Sequence, residues 1–88
     1  EAKIIKVEMN NLYSINGMHP FNIICEYEDR FSNEKHIFKS VNIWDDPSFI
    51  IKNNNIEYLN VYIDNRNKKK YYVELDNLID LMKNGIAS

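Results

Sequence analysis

A single cysteine, Cys25, leaves no internal disulfide framework and no cysteine zinc cage. Two glycines and two prolines in 88 residues exclude collagen-like and low-complexity chains. No apolar run approaches the ~18 residues of a membrane span. The densest cluster is Phe49-Ile50-Ile51, and no signal-peptide pattern is visible. Neither sign of charge dominates. The net charge of −2 and pI near 5.6 argue against a binder of nucleic acid or anionic membrane. What is present is ordinary for a folded chain: 44% hydrophobic and 27% charged residues, which excludes wholesale disorder. The length allows one domain, residues 1–88, with one modest core. The chain opens on Glu1 rather than Met, and we read it as an excised or processed piece. Asn, Ile and Lys are frequent and have AT-rich codons, so clusters of amides and lysines carry reduced weight.

Period-two alternation dominates the pattern. Residues 2–9 put Ile5, Val7 and Met9 on one side and Ile4, Lys6 and Glu8 on the other, a half-buried strand. Asn16-Gly17 marks a turn and Pro20 holds His19 extended; Leu12–Ile15 reads as a short strand or an ordered loop. Residues 21–28 alternate with Phe21, Ile23, Cys25 and Tyr27 on the apolar side, and 29–33 reads as a hairpin turn. Residues 34–44 form the next strand, with a bulge or bend expected between Phe38 and Val41; its register against 21–28 stays open. Asp46-Pro47 suits a helical turn over 47–52 with Asp46 as N-cap. Residues 57–64 and 70–75 pair across a five-residue turn, with Leu59, Val61 and Ile63 facing Leu75, Val73 and Tyr71 on the core side. From the Asp76 N-cap, Leu75, Leu78, Ile79 and Met82 form a helical stripe, stopped at Asn84-Gly85. The fold class is mainly β: a small antiparallel barrel or curled sheet of about five strands with a short C-terminal helix.

Chemistry-bearing residues are sparse. Cys25 on an apolar strand face is ordinarily a small buried hydrophobe, and a nucleophile would need exposure and a base such as His36. His19, His36 and Cys25 lack metal-ligand spacing, and Asp29, Asp45 and Asp46 lack the oxygen ladder of a calcium loop. They read as turn and cap carboxylates. Neither a catalytic residue nor a cofactor is expected. Lys68-Lys69-Lys70 beside Tyr71-Tyr72 is the one basic run, ordinarily a solvated turn; a small barrel gripping a ligand or single-stranded nucleic acid through such a Tyr/Lys face is the alternative reading. The candidate binding residues are Tyr58, Tyr62 and Tyr72, which share the outer face, Tyr62 opposite Tyr72. Cross-strand packing, or cover by Leu12–Ile15, is the plain explanation of such a face; a protein-binding or ligand-binding patch is the functional one.

Several motifs resemble those of a known family. Ile15-Asn16-Gly17-Met18-His19-Pro20-Phe21, Ile24-Cys25-Glu26-Tyr27, Phe38-Lys39-Ser40 followed by Ile43-Trp44 and Asp46-Pro47, Val61-Tyr62-Ile63-Asp64 and Lys70–Leu75 carry the likeness over about three quarters of the chain. Together they resemble an uncharacterised family of small membrane-anchored proteins common in Gram-positive anaerobes. There, one or two transmembrane helices precede a soluble β domain. The chain departs from the pattern at 65–68, where a Pro-containing turn is expected. The resemblance implies a domain held at the cell membrane by a segment outside these residues, lying outside the cytoplasm. An envelope protein would be its partner and nucleic acid would not. It supplies no site residues. Trp44, within the motif, is expected to plug the core.

Overall fold

The computed structural model describes the backbone of residues 1–67 and 69–87, with side chains through Lys83. Three strands, β1 (Ala2–Met9), β2 (Phe21–Glu28) and β3 (Lys35–Lys39), form an antiparallel meander, and β4 (Tyr58–Leu59) adds to the far side of β1. The order β3-β2-β1-β4 makes a curled half-barrel sheet. A second antiparallel pair, β5 (Val61–Ile63) and β6 (Tyr71–Val73), stands apart from it, with helix α1 (Ser48–Asn53) before β4 and helix α2 (Asp76–Ala87) at the end. The mainly β class, the antiparallel curl and the C-terminal helix agree with the sequence pattern.

The core gathers Ala2, Ile23, Cys25, Phe38 and Leu59 from the sheet, with Ile43, Val73, Leu75 and Leu78 packed against them. Ile23 and Cys25 are wholly buried, as their parity requires. The 57–64 run departs from one continuous strand. It breaks at Asn60, so that β4 pairs with β1 while β5 pairs with β6, and five expected strands become six. Glu74 N–H still donates to Asn60 O (2.9 Å), which carries the expected register across the break.

Strand β1 departs differently. The pairing jumps from Ile4↔Cys25 to Lys6↔Ile24, a bulge at Ile5. A bulge inserts one residue and reverses the faces. Ile4 therefore turns to the core and Ile5 is exposed; beyond the bulge Val7 packs on the core as expected, and Met9, on the same side at the strand end, is exposed.

The bulge expected after Phe38 is present. Strand β3 ends at Lys39, opposite Ile24, and pairing resumes at Ile43 opposite Phe21, one residue longer on the second side. Ser40 fills the gap: its Oγ accepts from Ile23 N–H (2.8 Å) and its own N–H donates to Ile23 O (3.0 Å). Asn22, expected outside, is buried beside this bulge, its Nδ2 donating to Ser40 O (3.0 Å) and to Asn42 Oδ1 (3.1 Å).

Asn16-Gly17 closes a two-residue hairpin turn between Ile15 and Met18, with φ of 53° and 79° and reciprocal backbone bonds of 2.9 and 3.0 Å. Both residues sit in the left-handed region such a turn demands. Asp46 accepts from Ser48 N–H (2.9 Å), although the helix itself begins one residue later than expected, after Pro47. Three further readings change. Trp44 is 40% exposed and does not plug the core; Pro47 and Ile43 are the buried residues there. Ile79 lies at the rim of the helical stripe, whose buried members are Leu75 and Leu78. Helix α2 runs through Asn84-Gly85 to Ala87.

Candidate functional site

The β5–β6 ribbon follows the expected register: Val61↔Val73, Tyr62↔Tyr72 and Ile63↔Tyr71. Alternation sends Val73 into the core and Tyr72 outwards. Tyr62 and Tyr72 therefore stand side by side, 58% and 47% exposed. Tyr62 Oη donates to Glu74 Oε2 at 2.8 Å, which fixes the ring. That bond, and then the negative charge of Glu74, raises the phenol's pKa above its ordinary value. Tyr58 is also exposed, at 50%, but stands on β4 opposite Lys3 in the other sheet. Leu12–Ile15 does not cover any of this face, since Leu12, Tyr13 and Ile15 are themselves exposed at the tip of the β1–β2 arm.

Tyr71, on the inner side of the ribbon, joins the two sheets. Its Oη accepts from Lys39 N–H (3.0 Å), on the open edge of β3, and its ring meets Phe38 edge-on at 4.9 Å and 65°. An edge N–H that would otherwise face water is thus used to seat the ribbon.

This docking creates a feature the sequence reading did not single out. Register pairs Tyr27 with His36 and Cys25 with Phe38 on one face. Tyr27, His36 and Phe38 form a row of nearly parallel rings, with centroids 6.5 and 6.4 Å apart and planes 26° and 19° apart. The ribbon end, Ile63–Asn65, stands across from them, and a cleft of about 250 Å3 lies between, lined also by Asp29 and Asp64. Both carboxylates are anchored by their own turns: Asp29 accepts from Phe31 N–H (2.9 Å) and Asp64 from Arg66 N–H (2.8 Å). The Phe31 bond is the main reason the Asp29 carboxyl is held below its ordinary pKa. Above the same hairpin turn, Phe31 is fully exposed. The observed register, Glu28 opposite Lys35, is what places Tyr27 opposite His36; a turn over 29–33 alone would have put Lys35 there, so the open register of 34–44 hid the cleft.

Cys25 lies on the same face as Phe38, its partner across the strands, with no exposed surface. Burial pushes its thiol up to about 11, so it stays protonated near neutral pH and lacks the thiolate a nucleophile needs. His36 is turned to the cleft, between Tyr27 and Phe38, with Glu34 3.9 Å from its Nε2. His19 is used structurally, its Nδ1–H donating to Tyr13 O at 2.7 Å. Among the described residues no three His, Cys, Asp or Glu side chains converge as metal ligands would. Of the basic run, Lys69 and Lys70 are exposed, and Lys68 lies outside the described residues. No family model, no curated protein and no solved structure matches the chain.

Proposed function

We propose that the domain is a non-catalytic interaction module of a membrane-anchored bacterial protein, facing the envelope and binding a protein partner there. One observation carries the binding part: Tyr62 and Tyr72 are paired and exposed, and Glu74 holds Tyr62 in place. Aromatic side chains supply large contact area at small entropic cost and are enriched at interfaces. An exposed aromatic pair with exposed Ile63 beside it suits a partner surface better than it suits solvent. The membrane part rests on the family resemblance. On that reading the anchor is a segment outside these residues; among the described residues no helix is long and apolar enough to span a bilayer.

A ligand site elsewhere than the Tyr/Lys face of the alternative reading is favoured by the aromatic cleft, whose lining holds none of that face's residues. Its charged walls are Asp29 and Asp64, which disfavour a phosphate backbone and favour a cationic group. Two measurements test the main reading. A reporter fused to the C-terminus of the full-length protein should place the domain outside the cytoplasm, in the membrane fraction. A Tyr62→Ala/Tyr72→Ala chain should keep its fold and lose its partner. A soluble cytoplasmic protein would contradict the anchor, and a fully retained partner would contradict the tyrosine interface.

A further inference from the structure

We infer that the cleft between β3 and the ribbon end is an arginine-binding site, which receives the guanidinium of one arginine on the partner protein. The inference rests on the reading of the domain as an interaction module and specifies what a second part of its surface would hold.

Size comes first. At about 250 Å3 the cleft lies below the ~300–1,000 Å3 typical of pockets for whole small molecules. It suits one side chain delivered by a larger partner. Its walls decide which one. Tyr27 and His36, their ring planes 26° apart, stand along one side and stay partly open to solvent, with the buried Phe38 next in the row. A planar cation stacks on such a surface through the negative ring face. Guanidinium does this better than ammonium, being planar and more weakly hydrated. The charged ends are carboxylates, Asp29 from the β2–β3 turn and Asp64 from the end of β5, and among the described residues His36 is the lone basic group on the lining. Backbone N–H groups fix both carboxylates: Asp64 accepts from Arg66 alone, and Asp29 from Phe31 with a weaker contribution from Ser32, so a forked donor finds most of its free acceptor capacity on Asp64. Aromatic face, two acceptors of like charge and single-side-chain volume thus converge on arginine.

The test uses this 88-residue chain labelled with nitrogen-15. The probes are Nα-acetyl-arginine-N-methylamide, its lysine counterpart and its citrulline counterpart, the last being nearly isosteric and uncharged. The arginine probe should give saturable amide shifts centred on Tyr27, Asp29, His36, Ile63 and Asp64, with a millimolar Kd. Lysine should bind several-fold more weakly, and citrulline should not saturate. Asp29→Asn with Asp64→Asn retains an oxygen acceptor for each turn N–H and should weaken arginine binding at least five-fold. Shifts from citrulline equal to those from arginine, shifts centred elsewhere, no saturation, or no loss in the double variant would each overturn the assignment. The citrulline comparison requires no variant and so stands whatever the substitutions do to folding. A partner lost on Tyr62→Ala/Tyr72→Ala but unaffected by the two Asp→Asn changes would end the arginine site and leave the module reading intact.

Discussion

Cys25 shows how one side chain's surroundings decide its chemistry. It is fully buried, and loss of hydration raises its pKa from 9.0 to about 11. Iodoacetamide should therefore modify it only at the rate of unfolding, whereas labelling in the fully folded protein would show that the strand opens locally. The same shift makes stability depend on pH. Between the two pKa values the folded state holds a proton that the unfolded state has released. Cys25's contribution is complete below pH ~9 and is lost as pH rises towards 11, by roughly 2–3 kcal/mol at most. Denaturant melts at pH 8 and 10.5 should show the fall, and Cys25→Ala should flatten it. Tyr62 is the other residue whose environment is legible: its phenol, bonded to Glu74, should titrate later than an ordinary tyrosine in ultraviolet absorbance. Glu74→Gln should bring it back towards the ordinary value; no change would mean that the bond does not persist in solution.

Bulges set the elements apart from the alternating pattern that announced them. The apolar parity of 21–28 and the register of the ribbon could be read directly, because a side-chain period of two leaves a strand only two choices of face. The Ile5 bulge could not be read, since either Ile4 or Ile5 serves as an inward residue and only the pairing with Cys25 and Ile24 selects between them. The break at Asn60 was hidden for a related reason: one alternating run serves two sheets when the chain bends between them. At the β3 bulge the slip in alternation was visible but its buried polar lining was not. There Ser40 Oγ is the acceptor for the buried Ile23 N–H. Ser40→Ala should cost about 1–3 kcal/mol, the penalty for orphaning that donor. In α2, Leu78→Ala should cost about 2–5 kcal/mol, as deletion of a buried leucine generally does. Ile79→Ala, at the rim of the same stripe, should cost much less.

At the scale of the molecule, two sheets are joined through Phe38 and Tyr71, and both proposed binding features depend on that join. The outer face of the ribbon carries Tyr62 and Tyr72, and its inner end closes the Tyr27–His36–Phe38 cleft. The tyrosine face was legible because both strands of the ribbon alternate cleanly. The cleft was not, because it needs a register between β2 and β3 and a docking angle between sheets, neither of which a single strand's pattern contains. Tyr71→Phe, which removes only the hydroxyl that accepts from Lys39 N–H, should loosen the ribbon at a cost of about 0.5–1.5 kcal/mol. It should also broaden the amide signals of Ile63, Asp64 and Asn65.

The central claim is that the ribbon face holds a protein partner. Its most direct test is photo-crosslinking in living cells of the host, with benzoylphenylalanine in place of Tyr72 in the full-length protein and, as a control, in place of Phe49, an exposed residue on α1. The account predicts one dominant adduct from position 72, absent from position 49 and lost when Tyr62→Ala is added. Equal adducts from both positions, or none from position 72, would contradict it.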